Sequence, residues 1–277
     1  MLIRSALRSL TFAASMAALP AFAGPYDRVQ PVYDILGMPE LMEIMREEGA
    51  SYGDELEADM FPGRGNVKWR EVVSTIYDTD RMEEDILKGL DQNLDDSAVE
   101  GILEFYDTEL GSRIISLEVA ARRALLDDAI EESAGEAWRS IQEEGGPRWT
   151  LLEEFVEVND LIESNVAGAL TSNLAFFQGM VDGHAFDFVL TQDEMLAEVW
   201  NQEPEIRDST IDWVYSFAAL SYQPLSEDEL EAYVDFARSP EGKAMNSALF
   251  TSFNAMFAEI SGDLGLGAAH FMAGEDI

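Results

Sequence analysis

Residues 94–114 read LDDSAVEGILEFYDTELGSRI, and the pattern returns at residues 225–245 as LSEDELEAYVDFARSPEGKAM. The two segments align without a gap at an offset of 131 residues (225 − 94), so that Phe105 matches Phe236. Because a repeat at a fixed spacing is typical of a duplicated structural unit, we take this segment as the element that decides the fold.

Helix-start signals occur twice in each copy. In the second copy, Ser226 followed by Glu229 has the spacing of a capping box, and Ser239 followed by proline is typical of a second helix start. In the first copy Asp95 and Thr108 stand at the corresponding positions. Each copy is therefore predicted to form a helix, a tight turn and a second helix.

A glycine lies in the first turn of the second helix of each copy, as Gly111 and Gly242. Glycine inside a helix costs about 0.5–1 kcal/mol relative to alanine. Its presence at the same repeat position predicts that the second helix crosses close to the first, near Phe105 or Phe236.

The segment FYDTELGSRI at residues 105–114 resembles the signature of the bacterial domain-of-unknown-function 2059 family, in which Phe-Tyr, a small turn residue and a glycine recur. FARSPEGKAM at residues 236–245 is similar, with Ala237 in place of the tyrosine. The resemblance implies an all-helical, exported bacterial protein. It implies no catalytic residues, because the family has no established activity.

Residues 1–23 have the features of a secretory signal peptide. Arg4 and Arg8 supply a positive start, an apolar run follows at residues 10–19, and Ala21-Phe22-Ala23 is a cleavage sequence of the A-x-A type. We expect cleavage before Gly24 and a soluble, periplasmic or secreted mature chain that contains no transmembrane segment.

The composition excludes several classes of function. With 55 Asp and Glu against 17 Lys and Arg, the formal net charge is −38, which repels nucleic acid and anionic lipid surfaces. The acids suit either a solvated surface or attraction of a cation or basic partner. The absence of cysteine removes disulfides, thiolate metal sites and cysteine nucleophiles.

Apolar residues recur at helical spacing along the whole chain, which predicts an all-α fold. The fold class that we predict is a duplicated helical-hairpin bundle with a pseudo-twofold internal repeat. Gly145-Gly146-Pro147 divides residues 24–146 from residues 147–277, either as two domains or as one bundle. Trp69 and Trp200 stand 131 residues apart, which suggests that the duplication extends upstream.

The spacing also predicts where individual segments are helical and where they are not. Long helices are predicted over residues 39–60, 114–144 and 151–181. An extended lead-in is predicted for residues 24–37 and a loose, glycine-rich tail for residues 262–277.

The candidate acidic residues are Glu100 with Glu104, one helical turn apart, and their repeat counterparts Glu231 with Asp235. Such pairs fit a solvated helix face, a bridging divalent cation or the two acids of a hydrolase. The adjacent bases Arg122 and Arg123 fit either a salt-bridged helix face or a clamp for a ligand.

The two histidines, His184 and His270, lack a recognisable nucleophile motif and zinc-ligand spacing. We therefore assign no catalytic, cofactor-binding or metal-ligating residue and expect no cofactor. The expected function is a non-enzymatic periplasmic module that binds a protein or small ligand. The alternative is a carboxylate-dependent or metal-assisted hydrolase of the cell envelope.

Overall fold

The computed structural model describes residues 24–186 and 190–274, and the predicted signal peptide lies outside them. The described residues are helical and contain no strand, so the predicted all-α class is confirmed. The helices are α1 (Gln30–Ile35), α2 (Met38–Met60), α3 (Asn66–Ile76), α4 (Thr79–Asn93), α5 (Asp96–Tyr106), α6 (Glu109–Ala124), α7 (Asp128–Glu144), α8 (Pro147–Val158), α9 (Leu161–Asp182), α10 (Gln192–Asn201), α11 (Glu203–Tyr222), α12 (Glu227–Arg238) and α13 (Pro240–Ala273).

The predicted caps begin the helices of both sequence copies. The side chains of Asp95 and Ser226 accept backbone N–H bonds at the starts of α5 and α12, and Ser226 forms the predicted capping box with Glu229. Thr108 and Ser239 do the same at the starts of α6 and α13. Each copy is thus a helix, a short turn and a helix, as predicted.

Both repeated glycines lie where a side chain would strike backbone. A Cβ at Gly111 would be 2.4 Å from the carbonyl oxygen of Phe105, and a Cβ at Gly242 would be 2.1 Å from that of Phe236. The predicted close crossing is confirmed in each copy. It sets the angle at which α6 leaves α5 and α13 leaves α12.

The helices on either side of α7 pair in the same order. Helix α2 contacts α3, α4 and α6, while α9 contacts α10, α11 and α13. Helix α1 packs on α5 as α8 packs on α12, and across the molecule α4 packs on α13 as α11 packs on α6. These contacts correspond in order, but the contact between α9 and α13 is far more extensive than that between α2 and α6.

One hydrophobic core joins the two halves, which answers the question of whether they are separate domains. Its buried side chains run from Val29 to Phe271. Packed against this core, the partly buried rings of Phe105 and Phe236 stack with centroids 3.9 Å apart and an interplanar angle of 8°. Residues 24–146 and 147–277 therefore share a core in the described part of the chain.

Two predicted long helices are each interrupted. Residues 114–144 divide into α6 and α7 at residues 125–127, and residues 151–181 divide into α8 and α9 at Asn159 and Asp160. Asp160 has a φ of +50°, a left-handed conformation that ends α8. The apolar spacing continues across this break, which is why the periodicity concealed it.

The predicted loose ends are also helical. Residues 24–37 contain α1, and α13 continues to Ala273 through the segment predicted to be a tail. The glycines there serve packing, because a Cβ at Gly265 would be 2.1 Å from the carbonyl oxygen of Phe176 on α9. Trp69 is fully buried whereas Trp200 is 69% exposed, so the two tryptophans have different environments.

Among the described residues, no helix has both the length and the apolar character that crossing a membrane requires.

Candidate functional site

The four repeated acids do not form a site. Glu100, Glu104, Glu231 and Asp235 are exposed, and none of them lines a cavity of the described residues. Asp235 accepts a bond from Arg238 at 3.1 Å. Within the same residues, no three acidic or histidine side chains are grouped to hold a metal ion. The pairs are therefore solvated helix faces, and the cation and hydrolase interpretations lose their structural basis.

The adjacent arginines close the seam between α6 and α2. Arg122 donates to Glu48 at 2.5 Å, and Arg123 donates to Glu40 at 2.5 Å and to Glu47 at 3.3 Å. The predicted salt-bridged helix face is confirmed. Since both guanidinium groups are engaged with α2, the alternative role as a ligand clamp finds no support.

Helices α9 and α13 pack on each other extensively, and beside residues 161–172 of α9 they leave a groove of about 450 Å³. Its lining carries no charged side chain, although a quarter of the chain is charged. The residues that line it are Leu161, Asn165, Gly168, Ala169, Ser172, Asn246, Leu249, Phe250, Phe253, Asn254 and Phe257. We refer to this feature as the α9–α13 groove.

Phenylalanine and asparagine side chains give the groove its chemistry. Phe253 and Phe257 lie one turn apart on α13, and their ring centroids are 6.2 Å apart. The amide of Asn165 donates to the carbonyl of Leu161 at 2.7 Å, and that of Asn246 donates to the carbonyl of Asn159 at 2.8 Å. These bonds fix the amides along the wall of an otherwise apolar site.

Small residues on α9 shape the opposite wall. A Cβ at Gly168 would be 2.4 Å from Oδ1 of Asn254, so glycine is what allows this amide to lie against α9. Ala169 and Ser172 continue the wall. Large residues on α13 facing small residues on α9 leave a channel along the helix pair.

The repeat offset places residues of different charge in the two seams. At an offset of 131 residues, Arg122 and Arg123 correspond to Phe253 and Asn254. Arg122 and Arg123 close the α2–α6 seam by ion pairs. At the corresponding positions the α9–α13 seam carries the phenyl ring of Phe253 and the amide of Asn254. The two halves differ at the positions that decide whether a ligand could enter.

A second feature is a buried carboxyl at the junction of the halves. Oε1 of Glu118 on α6 accepts bonds from the hydroxyls of Tyr222 at 2.7 Å and Tyr233 at 2.9 Å. The hydroxyl of Tyr106 lies 3.4 Å from that of Tyr233. Although part of residue Glu118 is exposed, its carboxyl group is enclosed, and this desolvation raises the pKa of the carboxyl despite the two bonds.

The three tyrosines respond to the same environment. Tyr106, Tyr222 and Tyr233 are each at most 5% exposed. Burial first, and the neighbouring carboxyl of Glu118 second, raise the pKa of all three hydroxyls. The cluster therefore keeps its hydroxyl protons and acts as a set of donors that ties α5 and α6 to α11 and α12.

The histidines lie apart from both features. His184 follows the end of α9, is exposed and has a φ of +57°. His270 lies in the last turn of α13. Neither lines a cavity within the described residues, so the structure places no nucleophile and base together there.

Sequence reasoning missed both the groove and Glu118. Phe253 and Phe257 belong to an apolar stripe that reads as core, yet both are only partly buried. The available signal was the repeat itself, since Arg122 and Arg123 correspond to uncharged residues in the second copy. For Glu118 no local signal existed, because its tyrosine partners are more than one hundred residues away.

Comparison with known proteins gives a match to one family model and indicates no activity. Residues 80–139 match the model of a family described as "Uncharacterized protein conserved in bacteria (DUF2059)". The resemblance read from the first copy is thereby confirmed, while the second copy lies outside the matched residues. No curated protein and no solved structure matches the chain.

Proposed function

We propose that this chain is an exported, non-enzymatic binding protein that holds a small, uncharged and largely apolar ligand in the α9–α13 groove. The proposal that the chain is exported is based on the signal-like features of residues 1–23. Of the two partners expected from the sequence, a protein or a small ligand, the groove favours the small ligand.

The observation that carries the proposal is the neutrality of the groove. Charged residues make up 26% of the chain, which has a net charge of −38, and the groove lining has none. Its volume of about 450 Å³ lies within the range of roughly 300–1,000 Å³ that small-molecule sites occupy. Such sites combine apolar walls with a few fixed polar groups, which here are the asparagine amides.

The other half of the molecule supports the same proposal. At the positions that correspond to Arg122 and Arg123, the α9–α13 seam has no ion pair. It carries instead a half-buried phenylalanine and an amide, which leave apolar surface in contact with water. Exposed apolar surface in a concavity marks a binding site more often than a structural one.

A fluorescence titration with the neutral probe N-phenyl-1-naphthylamine tests the proposal. Ser172→Trp places a large side chain in the groove, and Thr171→Trp places the same side chain on the exposed face of α9. We expect saturable binding to the wild type and to Thr171→Trp, and loss of that binding in Ser172→Trp. Equal binding by the two variants, or no binding by the wild type, would refute the assignment.

A further inference from the structure

A second cavity, of about 230 Å³, lies between α2 and α3 on the N-terminal half. It is separate from the α9–α13 groove and shares no lining residue with it. A cavity of this size is smaller than the roughly 300 Å³ at which sites for drug-sized ligands begin. It therefore suits a metabolite of about the size of an amino acid.

Aromatic and aliphatic side chains of α3 form the floor of this cavity. Trp69, Val73 and Tyr77 are buried there, and the indole Nε1 of Trp69 donates to the carbonyl of Gly53 at 2.6 Å. A Cβ at Gly49 would be 2.5 Å from the ring of Tyr77. The absence of a side chain at Gly49 therefore allows the ring of Tyr77 to pack directly against α2.

The rim differs from every wall of the α9–α13 groove because it carries both signs of charge. Arg46 and Arg70 supply two guanidinium groups, and Glu47 and Asp54 supply two carboxylates. Arg70 donates to Asp54 through Nε at 3.0 Å, Arg46 donates to Glu43, and Glu47 accepts a bond from Arg123. Opposite charges therefore stand side by side over an apolar floor.

We propose that this α2–α3 pocket binds a small zwitterion, namely a free amino acid with an apolar side chain. The ligand carboxylate is held by the guanidinium of Arg70, a geometry that guanidinium groups favour. The ammonium group is held by the carboxylate of Asp54, and the apolar side chain lies over the floor formed by Trp69, Val73 and Tyr77.

The charge of the whole molecule selects the zwitterion over simpler ions. A net charge of −38 repels a free anion, so the two arginines alone do not make a good anion site. A plain cation would lie beside the two guanidinium groups, which repel it. A zwitterion carries no net charge and satisfies both signs at the rim.

Saturation-transfer NMR on the full chain tests this with L-leucine and two analogues that each lack one charge. L-leucinamide lacks the carboxylate, and 4-methylpentanoate lacks the ammonium group. We expect saturation transfer to leucine at millimolar concentration and binding of each analogue weakened at least about tenfold. Equal signals for all three compounds, or none for leucine, would overturn the proposal.

Matched variants locate the binding. Arg70→Gln removes the carboxylate partner and is expected to weaken leucine binding at least about tenfold. Arg139→Gln breaks a comparably exposed ion pair, with Asp212, at a distance from the pocket and should leave binding unchanged. Since Arg70 is exposed, the variant should keep its circular dichroism spectrum. Unchanged leucine binding in Arg70→Gln would exclude this pocket.

Discussion

Replacing Glu118 by glutamine should stabilise the protein increasingly as the pH rises. Glutamine keeps an oxygen that can accept both tyrosine bonds, from Tyr222 at 2.7 Å and Tyr233 at 2.9 Å, and it cannot ionise. The wild-type carboxyl must give up its proton in an enclosed site at high pH. The difference between the two proteins therefore isolates the free energy of ionising one buried carboxyl.

The sign and slope follow from linkage. Burial raises the pKa of Glu118 in the folded chain above its ordinary value of 4.5. Between these two pKa values the folded protein keeps a proton that the unfolded chain has lost, so the wild-type free energy of unfolding falls as pH rises. The fall is at most about 1.4 kcal/mol per pH unit and stops above the folded pKa. For a chain of this size each kcal/mol corresponds to about 2–4 °C in Tm.

The assay is urea denaturation of the wild type and Glu118→Gln at several pH values from about 5 to about 8, at constant ionic strength. We expect the free energy of unfolding of Glu118→Gln to exceed that of the wild type by an amount that is near zero at the lowest pH, grows as the pH rises and then levels off. Glu104→Gln, an exposed acid, controls for the loss of one negative charge. A difference between wild type and Glu118→Gln that is constant with pH would show that the carboxyl ionises as it does in water.

Three further substitutions test helix packing and the bonds to Glu118. Gly242→Ala should lower the free energy of unfolding by about 1–3 kcal/mol, because its Cβ would meet the carbonyl of Phe236. At Gly262 the nearest atom to an added Cβ is 3.7 Å away, so Gly262→Ala should stabilise the protein by about 0.5–1 kcal/mol. Thermal unfolding measures both variants, and equal Tm values would contradict the close crossing at Gly242. Tyr233→Phe should lower the free energy of unfolding by about 1–3 kcal/mol, because it leaves the carboxyl of Glu118 with one fewer buried donor. Urea denaturation at neutral pH measures the change, and an unchanged midpoint would show that this bond contributes nothing.

The sequence predicts local structure well where a specific side chain determines it. Capping residues such as Ser226 and the glycines at 111 and 242 act within a few residues of themselves, and their positions are confirmed. Periodicity is less reliable for helix ends. The break at Asp160 depends on one residue in a left-handed conformation, and apolar spacing on either side of it is unaffected.

Long-range features could not be read in this way. The stacking of Phe105 on Phe236 and the bonds from Tyr222 and Tyr233 to Glu118 each join residues more than one hundred positions apart. The α2–α3 pocket likewise depends on how closely two helices approach. The repeat located the motif helices, but it did not predict that equivalent phenylalanines would stack on each other.

The comparison of the two halves also constrains where function resides. The α5–α6 and α12–α13 turns keep the same caps and the same glycine contacts, so these features serve the fold common to both halves. The α2–α6 and α9–α13 seams occupy corresponding places yet differ in charge, from the ion pairs of Arg122 and Arg123 to the uncharged Phe253 and Asn254. The α9–α13 pair is also packed far more extensively than the α2–α6 pair, so the two seams differ in packing as well as in charge. The proposed site for an uncharged ligand is based on this difference in charge.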